Sequence, residues 1–154
     1  MNITVKIEDK DLETTYPLTG DKSCSLKDFQ GKNLVIYFYP KDHTPGCTKE
    51  GHDFTKLHKE FLKHNTEIIG VSRDGIKSHE SFKAKQGYSF DLLSDKEGTL
   101  CSLFKVFKKV LGKNFITRST FVLDSKSQVI YEERGVKVSG HAEKILEFIK
   151  EQSS

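Results

Sequence analysis

Residues 34–48, with the sequence LVIYFYPKDHTPGCT, decide the fold of this chain. The apolar run 34–39 predicts a buried strand, which ends at Pro40 because proline has no N–H to donate to a strand ladder. Thr44 and Pro45 then predict the start of a helix, since Thr is a favoured N-cap and Pro is favoured at the first helical position. The sequence therefore predicts a strand, a short polar loop and a helix in direct succession.

Cys47 falls in the first turn of that predicted helix. Free backbone N–H groups and the positive end of the helix dipole favour a thiolate over a thiol at this position. A cysteine placed in this way is a candidate nucleophile. The alternative is a small buried hydrophobic residue, which is what most lone cysteines in proteins are.

Apolar periodicity predicts the remaining elements. Helices are predicted after Thr44, at about 76–86, through Leu100, Leu103 and Phe104, and from near Ser139. Strands are predicted at 67–72, 89–93, 119–124 and 128–133, with the last two joined as a hairpin. We expect a helical turn capped by Ser25 and an otherwise irregular N-terminal part.

The order of these elements, β-α-β-α-β-α-β-β-α, predicts an α/β fold class. Early strands that alternate with helices favour parallel pairing, and the late hairpin adds antiparallel strands. A mixed central sheet flanked by helices follows, and the thioredoxin-like fold is such an architecture. With 154 residues, the chain is expected to form a single domain over residues 1–154.

Composition excludes several classes of function. The net charge of +3 is weak and the lysines are spread along the chain, so nucleic-acid binding is not expected. The N-terminal sequence carries early acidic residues, unlike a signal peptide, and no apolar stretch approaches the length of a membrane span, so we expect no membrane association. Three cysteines without framework spacing indicate free thiols and a cytoplasmic location.

Several segments together resemble one known family. Residues 40–47 match the peroxiredoxin signature Pro-x-x-x-Thr-x-x-Cys, and further matches follow in order at Gly70–Ser72, Leu92–Asp95 and Arg118–Phe121. Over roughly residues 25–150 the chain resembles the bacterioferritin comigratory protein, or peroxiredoxin Q, subfamily of the peroxiredoxins. The Ala-Pro-x-Phe pattern that the family usually carries near its first strand is not visible.

The resemblance implies a thiol peroxidase that needs no cofactor or metal and acts in antioxidant defence. Its substrates would be hydrogen peroxide and organic hydroperoxides, and its reductant thioredoxin or another thiol. Cys47 would attack the peroxide and become a sulfenic acid, while Arg118 would lie beside the sulfur and stabilise the thiolate. Thr44 would hydrogen-bond the peroxide, and Pro40 would shield the sulfur from water. Most members of this subfamily are monomers, and we expect a monomer here.

Each of these residues also has a purely structural interpretation. Thr44 is a good helix cap, Pro40 ends a strand, and Arg118 is in a position that a surface charge could occupy. Two nearby carboxylates, Asp42 and Glu50, are expected to be solvated or locally paired.

The second half of the catalytic cycle lacks an obvious partner cysteine. Many subfamily members carry a resolving cysteine five residues after the nucleophile, and here that position is His52. Cys101 lies beside the apolar stripe Leu100, Leu103, Phe104 and Phe107 and is expected in the core, whereas Cys24, in a polar segment, is expected to be more accessible. A disulfide from Cys47 to either thiol stays open, but we expect a one-cysteine cycle in which an external thiol reduces the sulfenic acid.

Two other functions are compatible with parts of this sequence. His43, Cys47 and His52 could form a metal site, since histidine and cysteine are suitable ligands for zinc or copper. A non-enzymatic peroxide sensor would share the first chemical step with the peroxidase and differ in turnover. A disulfide oxidoreductase is not expected, because the chain has no Cys-x-x-Cys sequence.

Overall fold

This computed structural model describes residues 2–153. Its main feature is a seven-stranded sheet. The strands in chain order are β1 (Tyr16–Leu18), β2 (Lys22–Cys24), β3 (Asn33–Phe38), β4 (Thr66–Ser72), β5 (Asp91–Ser94), β6 (Phe107–Val110), β7 (Lys113–Ile116), β8 (Ser119–Leu123) and β9 (Val129–Arg134). The helices are α1 (Asp9–Glu13), α2 (Pro45–Lys63), α3 (Ile76–Gln86), α4 (Thr99–Leu103) and α5 (His141–Ser153), with a 3₁₀ turn at Leu26–Phe29.

The sheet is mixed, as the order of elements predicts. Its strand order is β2-β1-β5-β4-β3-β8-β9, and β6 and β7 pair only with each other. β3 is parallel to β4, which is parallel to β5, while β8 runs antiparallel to β3 and to β9. Among the described residues β3 is therefore an interior strand, paired on both edges and covered on both faces, which explains why its sequence is apolar on both faces.

Each face of the sheet has its own apolar core. Leu34, Ile36 and Phe38 of β3 point to a core that contains Cys24 and Cys101. Val35, Tyr37 and Tyr39 point to the opposite core, which contains Cys47 and the buried faces of α2, α3 and α5. The alternation along the strand follows from its two-residue period. Because Cys47 belongs to one core and the other two cysteines to the other, Cys47 lies on the opposite side of the sheet from both of them.

Most predicted elements are present near their expected limits. α3 occupies the predicted range and ends at Gly87, whose φ of +69° is favourable for glycine at a helix C-terminus. α5 begins two residues after Ser139, and its residues Ala142, Ile145 and Ile149 are buried as one stripe. No helix in residues 2–153 combines the length and apolar character needed to cross a bilayer.

The expectation of an irregular N-terminal part is wrong. α1 precedes a hairpin of β1 and β2, which joins the sheet through the pairing of Leu18 with Leu93. Residues 19–21 connect the two strands, and the Thr19 hydroxyl donates to Asp91 at 2.8 Å. Strands of three residues are too short to show a period of two, so the pattern gave no signal.

The sequence pattern does not predict the second hairpin, β6–β7, either. Phe107, which the sequence placed on the stripe of a helix, lies in β6, because α4 already ends at Leu103. The residues at the turn, Leu111 and Gly112, both have positive φ, as a two-residue hairpin turn requires. Most side chains of this hairpin are exposed, so its sequence carries no clear apolar alternation.

Candidate active site

Cys47 is the third residue of the 19-residue helix α2, directly after the loop that follows β3. The loop leaves the sheet at Tyr39, whose N–H donates to the Val71 carbonyl at 3.0 Å. The first bond of the helix runs from the Thr48 N–H to the Thr44 carbonyl at 2.9 Å. The N–H groups of Gly46 and Cys47 precede that bond and point out of the helix N-terminus, where they are suited to stabilise an anion.

Thr44 takes the N-cap position, but its side chain does not cap the helix. Its backbone is extended, with φ −100° and ψ 151°, as expected for an N-cap. Its hydroxyl instead donates to the Lys41 carbonyl at 2.8 Å. The lone pairs of the hydroxyl therefore stay available as acceptors, and the helix N–H groups stay available as donors.

Arg118 and Cys47, 71 residues apart in the chain, meet in the folded protein. Arg118 directly precedes β8, and its Nη2 donates to Cys47 Sγ at 3.4 Å. The side chain of Arg118 is only 17% exposed and Cys47 only 2%, so this is not a surface contact. Burial lowers the pKa of the guanidinium, but the negative charges of Glu50 and Cys47 outweigh this effect and the net pKa is raised.

Gly46 permits the close approach of Arg118. A Cβ at this position would lie 3.1 Å from Arg118 Nη2, closer than ordinary van der Waals contact. Any side chain here would have to displace the guanidinium.

Glu50 is the second partner of Arg118. Arg118 Nη1 donates to Glu50 Oε1 at 2.6 Å, and Glu50 is only 1% exposed. Burial raises the pKa of Glu50 to about 7, although the charge of Arg118 counteracts the rise. The expectation that Glu50 is solvated or locally paired is therefore wrong. One feature of the sequence points to the position of Glu50 in the site: it lies three residues after Cys47, so both side chains are on the same face of α2.

Asp42 ties the loop before α2 to helix α3. Its carboxylate accepts from the Tyr39 hydroxyl at 2.6 Å and the Ser78 hydroxyl at 2.7 Å, and it lies 2.7 Å from His79 Nδ1. Burial raises the pKa of Asp42, but the hydrogen bonds from His79, Tyr39 and Ser78 outweigh burial and hold it below its usual range. Asp42 is buried rather than solvated, and of its partners only Tyr39 is local in sequence.

Tyr88 holds the first turns of α2 from the other side. Its hydroxyl donates to the Cys47 carbonyl at 3.4 Å and the Thr48 carbonyl at 3.1 Å. Gly51 leaves room for the Tyr88 ring, since a Cβ at that position would overlap it. Nothing in the sequence around Tyr88 indicated this role.

Pro40, His43 and His52 all lie on the surface near the helix start. The His43 ring contacts Phe82, with ring centroids 5.0 Å apart, and the His52 ring contacts Tyr88, with centroids 5.8 Å apart. Within residues 2–153, the side chains grouped closely enough to hold a metal ion are Asp42, Asp74 and His79, and this group does not include Cys47.

Cys24 and Cys101 are both free thiols and both buried. The prediction of a core position is confirmed for Cys101, whereas the greater accessibility expected for Cys24 is wrong. Burial raises the pKa of Cys24 to about 12, and it raises that of Cys101 as well. Neither is in a state that favours nucleophilic attack.

A mixed sheet with a helix N-terminal cysteine beside a buried arginine defines the class of thioredoxin-like thiol peroxidases. The sequence agrees, since residues 5–132 match the AhpC/TSA family, and the chain belongs to that family.

Named relatives and solved structures narrow the assignment. The chain is 50% identical over 137 residues to Peroxiredoxin Bcp of Xanthomonas campestris pv. campestris, covering 86% of each protein. It is 43% identical to Peroxiredoxin Bcp of Bacillus subtilis, covering 98% of this chain and 99% of the relative. A crystal structure of a PrxQ mutant from Xylella fastidiosa matches with a TM-score of 0.95 at 40% identity, covering 100% of this chain and 98% of the other.

A further structure concerns the alkyl peroxide reduction activity of Xanthomonas campestris bacterioferritin comigratory protein. It matches with a TM-score of 0.93 at 43% identity, covering 99% of this chain and 100% of the other. The resemblance to the peroxiredoxin Q subfamily, the thioredoxin-like fold and the thiol peroxidase function are thereby confirmed.

Proposed function

We propose that Cys47 is the peroxide-reducing nucleophile of this peroxiredoxin. Its thiolate attacks one oxygen of the hydroperoxide, so that an S–O bond forms as the O–O bond breaks. The leaving oxygen takes a proton and departs as water or an alcohol, and Cys47 is left as a sulfenic acid. The observation that carries this assignment is the 3.4 Å contact from Arg118 Nη2 to Cys47 Sγ at the start of α2.

Arg118, Thr44, Pro40 and the backbone of Gly46 complete the proposed site. Arg118 stabilises the thiolate, and its guanidinium and the N–H groups of Gly46 and Cys47 stabilise the negative charge on the leaving oxygen. Thr44 accepts a hydrogen bond from the peroxide, because its own proton is already donated to the Lys41 carbonyl. Pro40 is exposed, and we assign it the role of limiting the access of water to the sulfur.

The proposed substrates are hydrogen peroxide and organic hydroperoxides. The chemistry uses only the O–O bond and the terminal oxygen, which both classes share. The alkyl peroxide reduction named for the Xanthomonas campestris protein supports the second class.

We further propose a one-cysteine cycle in which an external thiol such as thioredoxin reduces the sulfenic acid through a mixed disulfide at Cys47. Cys24 and Cys101 lie in the core on the opposite face of the sheet from Cys47, so neither reaches the sulfur without rearrangement of the core. A disulfide requires Cα atoms within about 7 Å. The proposed enzyme is a single-domain cytoplasmic monomer that removes peroxides.

The test is peroxide consumption with thioredoxin as reductant. Cys47→Ser is expected to abolish it, while Cys24→Ser and Cys101→Ser keep the fast oxidation step. Mapping of peroxide-treated protein under non-reducing conditions is expected to show a trapped sulfenic acid and no disulfide that contains Cys47. Consumption by Cys47→Ser at the wild-type rate would refute the nucleophile, and a stoichiometric disulfide to Cys24 or Cys101 would refute the one-cysteine cycle alone. Oxidation without turnover in excess thioredoxin would favour the sensor.

A further inference from the structure

The proposed site buries two acidic groups around one cation. Arg118 donates through Nη1 to Glu50 Oε1 at 2.6 Å and through Nη2 to Cys47 Sγ at 3.4 Å. One guanidinium carries one positive charge, so these three groups are neutral as a set only when one of the two acids is ionised. Burial disfavours net charge, and the neutral states are therefore favoured.

The surroundings of Glu50 favour the protonated form of its carboxyl group. Its Oε2 is buried and has no hydrogen-bond partner, whereas an ionised buried carboxylate normally has both oxygens bonded. An unbonded oxygen costs less on a neutral carboxylic acid than on a carboxylate. The raised pKa of Glu50, caused first by burial, is consistent with this geometry.

Within residues 2–153, Arg118 is the cation whose charge acts on Glu50. The other titratable groups acting on this site are Asp53 on α2, Tyr37 on β3 and Tyr88 after α3. The pKa of each tyrosine is raised by burial, so both phenols are neutral at neutral pH, and the charge of Asp53 favours protonated Glu50. His141, packed against α2, has its pKa lowered by burial to about 4 and is also neutral.

We propose that Glu50 holds the proton that Cys47 loses, and releases it when the sulfur is oxidised. The inference rests on the proposed role of Cys47 as nucleophile and deepens it. In the reduced enzyme Cys47 is a thiolate and Glu50 a neutral acid. After attack Cys47 is a neutral sulfenic acid and Glu50 a carboxylate.

The proton balance of the step is closed within the site. Thiolate, protonated Glu50 and hydroperoxide become sulfenic acid, ionised Glu50 and an alcohol or water. The O–O bond breaks, the S–O bond forms, and sulfur gives up two electrons. Glu50 supplies the one additional proton that the two products, the sulfenic acid and the water or alcohol, need. The set of Arg118, Cys47 and Glu50 stays neutral before and after the step.

Proton uptake during oxidation tests the inference directly. Reduced protein is mixed with one equivalent of hydrogen peroxide in weakly buffered solution containing a pH indicator. The pH is chosen so that ultraviolet absorbance shows Cys47 ionised in each variant. Wild type is expected to take up no proton from solvent, because Glu50 supplies it. Glu50→Gln keeps the acceptor oxygen for Arg118 but holds no proton, so it is expected to take up about one proton per oxidised Cys47.

Glu60→Gln is the matched control, since it makes the same change on the same helix at a position on the surface. It is expected to behave as wild type. A second measurement does not depend on any variant. The infrared difference spectrum of wild type is expected to lose a protonated-carboxyl band on oxidation.

The outcomes separate this inference from the function on which it rests. Uptake of one proton by wild type with an ionised Cys47, or no carboxyl change in the infrared spectrum, would overturn the role of Glu50 while Cys47 still forms sulfenic acid. If neither wild type nor the variants formed a sulfenic acid on Cys47, the proposed function would be overturned instead.

Discussion

Removal of Arg118 is the change with the largest expected effect on peroxide reduction short of removing the sulfur. At the 3.4 Å between Arg118 Nη2 and Cys47 Sγ, two full charges interact by about 5 kcal/mol at an effective dielectric constant of about 20. Arg118 also forms an ion pair with Glu50, so only part of its interaction energy stabilises the thiolate of Cys47. Loss of one transition-state donor typically costs about 2.7–4 kcal/mol, and Arg118→Ala should therefore slow Cys47 oxidation by about 100- to 1000-fold.

The assay is a rapid-quench measurement of Cys47 oxidation in excess peroxide, read by alkylation and intact mass. Arg118→Lys is expected to give an intermediate rate, because one ammonium cannot reproduce two diverging N–H donors at fixed angles. Arg118→Ala also leaves Glu50 buried without its cation. Breaking a buried pair in this way costs about 3–5 kcal/mol of folding stability at a pH where the carboxylate is ionised.

The double change Arg118→Ala with Glu50→Gln separates chemistry from stability. It removes the unpaired buried charge, so the free energy of unfolding should recover, while the oxidation rate should stay low. If Arg118→Ala alone oxidised at the wild-type rate, the electrostatic role of Arg118 would be wrong. If the double variant recovered the rate as well, Arg118 would act only by neutralising Glu50.

Three further predictions concern the same neighbourhood. Gly46→Ala should push the guanidinium away from the sulfur, because its Cβ would lie 3.1 Å from Arg118 Nη2; quenched-flow rates should fall by about tenfold or more with no loss of thermal stability. Asp42→Asn should lower the free energy of urea unfolding at neutral pH and flatten its decline in acid, because the folded pKa of Asp42 is held below its unfolded value. The opposite sign applies to Glu50, whose pKa rises from 4.5 unfolded to about 7 folded. As pH rises through that window its contribution to stability should fall by about 3 kcal/mol, and Glu50→Gln should abolish this slope without affecting the slope from Asp42.

The parts of the fold that the sequence predicts are those with strong local signals. β3 is a continuous apolar run, α3 has a glycine at its C-terminus, and α2 has Thr44 and Pro45 at its start. The β1–β2 and β6–β7 hairpins have strands of three or four residues and mostly exposed side chains. Their positions depend on pairing and turn geometry, which leave little trace in an apolar pattern.

The candidate site likewise has residues that the sequence predicts and residues that it does not. The placement of Cys47 follows from the helix start, and the resemblance to peroxiredoxins pointed to Arg118. The environment of Glu50 and Asp42 could not be predicted, because their partners Arg118 and His79 come from elements 68 and 37 residues away. Charged residues are usually exposed, so burial at these positions is visible only once the chain is folded.

Two independent features of the structure act against a disulfide from Cys47: the sheet that separates it from the other cysteines, and the contacts that hold the first turns of α2. The sheet separates Cys47 from Cys24 and Cys101, because α2 packs on one face of the sheet and α4 and the side chain of Cys24 on the other. The first turns of α2 are held by Tyr88, whose ring needs the space at Gly51 and whose hydroxyl bonds the Cys47 carbonyl. Unwinding these turns to release the sulfur would lose the contacts to Tyr88 and Arg118 together. With His52 in place of a nearby thiol, such unwinding would gain no sulfur–sulfur bond, which supports the proposed one-cysteine cycle with an external thiol as reductant.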